Sequence, residues 1–313
     1  MPRDFSSKRV LITGGSGFLG SHVQERFEQL GAKVFSFRST EFDLIDKSQA
    51  DSLMDEVRPN WVVHCAVDGG GIGYMRRHPA GIVHRNILMN THVLDAAYRL
   101  GAEGFIGVSS ICAYPRNAPM PLKEETLFEG YPEPSNAGYG LTKRMMMEMG
   151  RAYFQEHGFL SLFPMPVNLY GPGDNFSPER SHVVPALIRR FVEAEKQGLE
   201  EVEIWGSGTA TRELLYVEDC ADAVLAAAQH GTTVEPINIG TGVETSIADL
   251  AESVARACGY SGRLVFDSSK PEGQPRKCLD TSKAFESYAW KAQVELKDGL
   301  ERTVLWYRSQ PFS

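Results

Sequence analysis

The chain has 313 residues, of which 42% are hydrophobic and 23% are charged, and its formal net charge is −8. This composition is typical of a folded protein with a large core, and it excludes a disordered tail. A net negative charge without a run of Lys or Arg argues against a nucleic-acid partner. No apolar segment approaches the roughly 20 residues that span a bilayer, and no signal peptide is visible. The five cysteines lack metal-binding spacing, so we expect no metal and a reduced, cytoplasmic protein.

The first 170 residues alternate between predicted strands and helices. Short apolar runs predict strands at 10–13, 34–37, 61–64, 104–108 and 160–163. Apolar residues at helical spacing predict helices at 21–30, 48–57, 80–100 and 139–156. Strands without polar alternation are typical of a sheet that is buried on both faces. The sequence therefore predicts an α/β fold with a doubly wound parallel sheet.

After Asn168 the regular alternation of apolar runs and helical patterns ends, and residues 171–178, which are rich in Gly, Pro and Asp, predict a loop. Helices are predicted at 183–194, 218–228 and 247–258, and strands at 202–205, 236–240 and 263–267. We expect this region to supply a smaller α/β C-terminal lobe, with parts of it returning to the main sheet.

A glycine-rich loop joins the first strand to the first helix. It contains Gly14, Ser16, Gly17, Phe18, Leu19 and Gly20. In such a loop the first glycine permits a tight turn, the second admits a pyrophosphate, and the third lets helix and strand pack closely. The helix N-terminus then directs N–H groups toward the phosphates. The alternative is an incidental Gly-rich turn, but its position after the first strand favours dinucleotide binding.

The residue after the second strand helps to select the cofactor. An acid there would bind the ribose 2′-hydroxyl of NAD, but Arg38 follows Phe37 and no acid appears before Glu41. Arg38 could pair with a 2′-phosphate, which favours NADP(H) over NAD, although a solvated surface arginine is the alternative. Asp43 and Leu44 begin the loop that we expect to lie against the adenine.

Tyr139 and Lys143 lie four residues apart and share one helix face. An ammonium beside a phenol would lower the pKa of the tyrosine, so that it could exchange a proton with a substrate oxygen. Ser110 follows a predicted strand at the sheet edge where active sites of α/β proteins form. A core tyrosine beside a solvated lysine is the alternative for the pair alone.

Together, these motifs resemble the extended short-chain dehydrogenase/reductase family over nearly the whole chain. The resemblance implies a Rossmann domain that binds a nicotinamide cofactor and a smaller lobe that binds a nucleotide sugar. It assigns residues 1–173 and about 209–241 to the first, and about 174–208 and 242–313 to the second. Beyond the loop residues, it implies cofactor contacts at Ala66, Tyr139, Lys143, Pro166, Asn168, Leu169 and His182.

Several segments resemble GDP-L-fucose synthases more narrowly. The matching motifs are Ser110–Pro115, Glu133–Asn136, Asn168–Pro172, Ser181–Val183, Trp205–Gly208, Arg212-Glu213, Ser269-Lys270-Pro271 and Arg276-Lys277. That family epimerises GDP-4-keto-6-deoxy-D-mannose at C3 and C5 and then reduces the C4 keto group with NADPH. The resemblance implies Cys112 as the base and His182 as the acid of epimerisation, and Tyr139 with Ser110 and Lys143 for reduction.

The same resemblance implies contacts to the GDP-sugar and an oligomeric state. The substrate contacts would be Ser110, Asn168, Arg190, Trp205, Arg212 and Lys277. Cations suit a pyrophosphate, and a flat aromatic face suits a base or sugar. A homodimer is expected through the Tyr139 helix and the 80–100 helix.

The chain departs from the family pattern at four places. Asp68 lies near a family lysine, Gly73–Met75 and Arg76-Arg77 differ, Val167 replaces threonine, and Tyr216 replaces histidine. These departures leave open which GDP-keto-sugar is used, with a 3,6-dideoxy sugar or a heptose as alternatives. A reductase or epimerase alone, or a non-catalytic dinucleotide sensor, also remains open.

Overall fold

The computed structural model describes residues 1–270 and 273–311. Its strands are β1 (Arg9–Thr13), β2 (Lys33–Phe35), β3 (Trp61–His64), β4 (Gly104–Gly107), β5 (Ser161–Pro166), β6 (Asn168–Tyr170), β7 (Glu201–Trp205), β8 (Thr211–Tyr216), β9 (Pro236–Ile239), β10 (Glu244–Ser246) and β11 (Arg263–Asp267). Its helices are α1 (Phe18–Gln29), α2 (Lys47–Val57), α3 (Ile72–Arg77), α4 (Pro79–Arg99), α5 (Ala137–His157), α6 (Val183–Gln197), α7 (Val217–His230), α8 (Ile247–Ala257), α9 (Ser282–Tyr288) and α10 (Leu296–Arg308).

A six-stranded parallel sheet forms the centre, in the order β2-β1-β3-β4-β5-β9. α1 packs with α7, and α4 packs with α2 and α5. The predicted doubly wound parallel sheet is confirmed. The strand order reverses between β1 and β3, and a crevice therefore opens at the carboxyl ends of these two strands.

A second hydrophobic core lies beside the sheet and contains buried residues of α6, α8 and α10. Two small sheets border it, one with the order β10-β8-β6 and the other pairing β11 with β7. β6 follows β5 almost at once, so the central sheet leads directly into this second core.

The sequence patterns did not predict β6, β8, β10, α3, α9 or α10. The sequence does not predict α10 because the helix contains Gly299, and glycine is unfavourable inside a helix. A Cβ at Gly299 would lie 2.2 Å from the hydroxyl oxygen of Tyr170, so tertiary packing requires this glycine. The apolar pattern does not predict β8, because the strand begins with Thr211 and Arg212 and contains Glu213, a fully buried acid.

Among residues 1–270 and 273–311, no helix has both the length and the apolar run that crossing a membrane requires.

Candidate active site

The glycine-rich loop lies at the reversal of strand order, between the ends of β1 and β3. Gly14 has a φ of +70°, and a Cβ there would lie 2.7 Å from the backbone nitrogen of Ala66. A Cβ at Gly20 would lie 2.1 Å from the carbonyl oxygen of Gly14. Gly17 is the N-cap of α1, and no side chain caps this helix end. The loop therefore leaves room and backbone donors for a phosphate group, and the residues present fit a dinucleotide.

The end of β2 lies beside this loop, where a Cβ at Gly15 would lie 2.5 Å from the Cβ of Ser36. Arg38 is exposed, and its backbone N–H donates to the carboxylate of Glu41 at 2.8 Å. Within the described part of the chain, the Arg38 guanidinium forms no ion pair. Arg38 is thus a cation available to a phosphate near the second strand.

The adenine loop predicted at Asp43 and Leu44 is ordered by local hydrogen bonds. The Asp43 carboxylate accepts from the Ile45 N–H at 3.0 Å, and the Leu44 carbonyl bonds the ring of His92 at 3.1 Å. Leu44 is buried against the α2 and α4 side of the core, whereas Asp43 is partly exposed.

Ser110, Tyr139 and Lys143 meet at the carboxyl end of β4. Lys143 is buried, and its ammonium donates to the carbonyl oxygen of Val108 at 2.7 Å. Its Nζ lies 5.8 Å from the ring centre of Tyr139. The Ser110 hydroxyl hydrogen-bonds the Tyr139 phenol. The three residues that sequence spacing brought together are therefore neighbours.

The expectation of a lowered pKa for Tyr139 is wrong. Burial raises the pKa of Tyr139 well above its ordinary value, the Cys112 charge adds to the rise, and the Ser110 hydrogen bond opposes it. Lys143 is itself desolvated, which lowers its own pKa to about 8. The phenol of Tyr139 is consequently held in its protonated form, which suits a proton donor.

Cys112 lies in a short 3-10 turn, Ile111–Ala113, directly after Ser110. Its backbone N–H donates to the Ser110 hydroxyl at 3.2 Å. The Asn136 amide donates to the Cys112 sulfur at 3.2 Å, and the Lys277 ammonium lies 3.9 Å from the same sulfur. We call Ser110, Cys112, Tyr139 and Lys143 the catalytic cluster.

His182 is the N-cap residue of α6, and the segment just before it contacts the start of α3. Tyr139 packs against the apolar cluster of Tyr74, Met75 and Ile82, and the N–H of Gly71 donates to the Arg180 carbonyl at 2.8 Å. The His182 side chain is open to water, yet the protein that surrounds it desolvates the imidazole and lowers its pKa. This combination is typical of a residue on the wall of a cleft.

Three predicted substrate residues lie in β8 or beside it. The Asn168 amide donates to the carbonyl of Glu213 at 3.1 Å, and the N–H of Glu213 donates to the Lys277 carbonyl at 3.2 Å. Arg212 donates to the carbonyl of Gln274 at 2.7 Å. β8 thereby lies beside both Asn168 and Lys277 and contains Arg212, and Lys277 in turn lies near the sulfur of Cys112. Of the predicted motif beside them, Pro271 lies outside the described residues.

Arg190 and Trp205 form a separate pair at the end of β7. The Arg190 guanidinium lies 5.2 Å from the ring centre of Trp205, and it donates to the Glu203 carbonyl at 3.1 Å. Trp205 is 50% exposed, so one face of the indole is open. A cation beside an exposed aromatic face can hold a planar or phosphorylated group.

The remaining predicted cofactor residues lie at the same sheet edge. Pro166 ends β5, whereas Leu169 is part of β6. Ser16 is exposed in the loop, and Phe18 and Leu19 form the first turn of α1, with Phe18 packed edge-on against His22.

Sequence reasoning missed a buried network behind the loop. His64 bonds Thr13 at 2.7 Å through Nδ1 and Asn90 at 3.0 Å through Nε2. Burial lowers the pKa of His64 to about 3, and the charge of Lys143 contributes. The neutral imidazole therefore ties the ends of β1 and β3 to α4. A histidine inside an apolar strand carries no sequence signal for this contact.

A second missed network lies where the chain departs from the family pattern. The Tyr74 hydroxyl donates to the Asp68 carboxylate at 2.8 Å, and Arg85 pairs with the same carboxylate. Arg180 donates to the Tyr74 hydroxyl at 2.9 Å, and its guanidinium lies 4.1 Å from the centre of that ring. Asp68, Tyr74 and Arg180 are thus joined by hydrogen bonds into one surface beside Tyr139, which we call the Tyr74 wall.

Comparison with known proteins identifies the class. The model of the NAD dependent epimerase/dehydratase family matches residues 10–240, and the chain belongs to this family. It is 41% identical over 301 residues to probable GDP-L-fucose synthase 1 of Oryza sativa subsp. japonica, covering 96% of this chain and 92% of the relative.

Solved structures that share this fold include a GDP-L-fucose synthetase and a GDP-keto-heptose reductase. The GDP-L-fucose synthetase of Naegleria fowleri bound to NADP superposes with a TM-score of 0.90 at 29% identity, covering 98% of this chain and 96% of that one. The GDP-6-OMe-4-keto-L-xylo-heptose reductase of C. jejuni superposes with a TM-score of 0.90 at 28% identity, covering 99% and 100% of the two chains.

Proposed function

We propose that this protein is an NADPH-dependent epimerase/reductase that converts GDP-4-keto-6-deoxy-D-mannose to GDP-L-fucose. The observation that carries the proposal is the catalytic cluster itself, in which a cysteine and a Ser/Tyr/Lys set meet beside a dinucleotide loop. A sensor of dinucleotides would have no use for this arrangement. The similarity to GDP-L-fucose synthases over nearly the full chain supports the same substrate class.

The dinucleotide would lie across the glycine-rich loop, with Arg38 at its ribose phosphate. The bare N-terminus of α1 and the tight approach of Gly14 to Ala66 fit its pyrophosphate. When bound, NADPH supplies the hydride for reduction at C4 of the sugar. The preference for NADPH over NADH rests on Arg38.

Epimerisation uses Cys112 and His182. The 4-keto group makes the C3 and C5 protons acidic, so the Cys112 thiolate can remove a proton from one face of the sugar. The imidazolium of His182 returns a proton to the other face. Asn168, Arg212 and Lys277 would bind the sugar and its diphosphate, and Arg190 with Trp205 would hold the nucleotide end.

Reduction uses Tyr139. Its raised pKa keeps the phenol protonated until negative charge develops on the C4 oxygen, and the phenol then donates its proton to that oxygen. Ser110 donates a hydrogen bond to the same oxygen, and the nearby Lys143 ammonium stabilises the tyrosinate that remains.

The decisive experiment supplies purified protein with NADPH and GDP-4-keto-6-deoxy-D-mannose. We expect NADPH consumption at 340 nm and GDP-L-fucose by NMR. Tyr139→Phe should abolish reduction but retain NADPH binding, and Tyr131→Phe is the matched control at an exposed tyrosine. Cys112→Ser should slow deuterium incorporation at C3 and C5. No NADPH oxidation with this sugar would refute the substrate assignment.

The second candidate is reduction of a GDP-keto-heptose. The wall formed by Asp68, Tyr74 and Arg180 favours this alternative, because it replaces the family pattern at the side of the cluster where Tyr139 lies. The heptose reductase of C. jejuni shares the fold. Competition between the two sugars for the wild-type protein, with kcat/KM measured for each, discriminates the candidates.

We further propose a homodimer through α4 and α5. These helices pack together, and they expose Ile87, Leu141 and Met145, which a second copy would cover. Light scattering with Met145→Asp tests the dimer, and a persistent dimer would refute this interface.

We also propose that residues 1–173 with 209–241 form the cofactor domain and that the remaining residues form the substrate lobe. A cytoplasmic location is expected, because all five cysteines are free.

A further inference from the structure

Asn136 occupies the N-cap position of α5 but does not cap the helix. An N-cap asparagine ordinarily accepts a hydrogen bond from a backbone N–H in the first turn. Here the side chain makes no such bond, and its amide nitrogen instead lies 3.2 Å from the Cys112 sulfur. The residue therefore forgoes a stabilising local contact for one with the proposed base.

Two polar side chains lie against the sulfur of Cys112. Asn136 donates from the start of α5, and the Lys277 ammonium lies 3.9 Å away. Tyr139 also interacts with this sulfur, and burial keeps its phenol neutral. One donor and one cation thus face a sulfur that must carry charge to act as a base.

The other end of the same amide is unsatisfied. The oxygen Oδ1 of Asn136 is buried and has no hydrogen-bond partner among residues 1–270 and 273–311. A buried acceptor without a donor is costly, so it is expected to find a partner in the working state. A sugar bound next to Cys112 carries hydroxyl groups that can donate to it.

We propose that Asn136 is a positioning residue that links the base to the substrate, with its amide N–H on the Cys112 thiolate and its carbonyl on a sugar hydroxyl. The inference rests on the proposed function for its second contact only. The first contact concerns the free protein and is testable without any sugar. Asn136 acts through Cys112 and takes no proton itself.

The first test measures alkylation of Cys112 by iodoacetamide as a function of pH. The pH of half-maximal alkylation should rise by about one unit in Asn136→Ala, as expected for loss of a hydrogen bond to a charged group. Asn136→Asp, which is isosteric but negative, should raise it further. Cys112→Ser protein gives the background from the other four cysteines, and Asn117→Ala is the control at an exposed asparagine.

An unchanged alkylation profile in both Asn136 variants would overturn the contact with the thiolate. A fold defect is excluded when the variants keep the wild-type thermal midpoint and NADPH affinity. Because Asn136 does not cap α5, neither substitution removes a helix cap.

The second test measures deuterium exchange at C3 and C5 and the KM for GDP-4-keto-6-deoxy-D-mannose. Asn136→Ala should slow exchange about tenfold and raise KM, with Kd for NADPH unchanged. An unchanged KM would overturn the contact with the sugar. If the wild-type protein does not turn over this sugar, the proposed function fails, whereas the alkylation result still decides the role of Asn136 toward Cys112.

Discussion

Replacing Lys143 by methionine should stabilise the fold while it abolishes reduction. Lys143 is 3% exposed, and burial lowers its pKa from 10.5 to about 8. This lowering of the pKa by about 2.5 means that burial of the charged ammonium destabilises the fold by about 3.4 kcal/mol. Methionine is of similar length and carries no charge, so this cost disappears.

The gain is partly offset by the lost hydrogen bond to Val108. Its carbonyl oxygen would be left without the ammonium donor at 2.7 Å. An unsatisfied buried acceptor costs about 1–3 kcal/mol. We therefore expect the Lys143→Met variant to be more stable than the wild type by about 1–2 kcal/mol near pH 7.

The pH dependence has a defined sign. Because the folded-state pKa of Lys143 lies below the unfolded value, the unfolded chain binds more protons between pH 8 and 10.5. Wild-type stability thus gains from this group as pH rises through that interval, whereas Lys143→Met lacks the gain. The advantage of the variant should shrink above pH 8 and reverse well before pH 10.5.

Urea unfolding at several pH values between 7 and 10.5, without nucleotide, measures both effects. Lys123→Met, at an exposed lysine, serves as the matched control. A variant less stable than the wild type at pH 7, with the same pH dependence, would show that burial of the ammonium is not costly. NADPH oxidation measured on the same samples should fall to background in Lys143→Met alone.

Three further predictions concern the framework of the site. Glu213→Ala should lower the free energy of unfolding by about 3 kcal/mol or more, since the carboxylate accepts from the N–H groups of Thr241, Gly242 and Leu279 at 2.6–2.8 Å; a loss under about 1 kcal/mol in urea unfolding would contradict this. Burial raises the pKa of Asp174 from 3.8 to about 7, so the free energy of unfolding that this carboxyl contributes is present at low pH and is lost as pH rises from 3.8 through 7. Asp174→Asn should therefore flatten the pH dependence of the thermal midpoint between pH 3.8 and 7, and an unaltered slope would count against this prediction. Gly20→Ala should abolish NADPH binding in calorimetry, because its Cβ would lie 2.1 Å from the Gly14 carbonyl oxygen; an affinity within twofold of the wild type would refute the close packing.

Local motifs were sufficient to predict the glycine-rich loop and the pairing of Tyr139 with Lys143. The loop from Gly14 to Gly20 joins a strand to a helix, and Tyr139 and Lys143 lie one helical turn apart. In each case the chemistry depends on residues within seven positions of each other. The parallel sheet follows in the same way, since apolar strands alternating with helices have few other ways to bury both faces.

Contacts between distant residues could not be predicted in this way. The sulfur of Cys112 meets Lys277 across 165 residues, and the Tyr74 wall joins α3 to the segment before α6. The helical glycine of α10 is explained only by the hydroxyl of Tyr170. Such pairs leave no spacing in the sequence, because the fold alone sets the distance between them.

The sequence by itself determined the class of fold, the glycine-rich loop and the candidates for the reactive side chains. Only the tertiary structure decided their electrostatic state. The lysine was expected to lower the pKa of Tyr139, yet burial raises it and lowers that of Lys143. Desolvation depends on how many protein atoms surround a group, and those atoms come from strands and helices far apart in the chain.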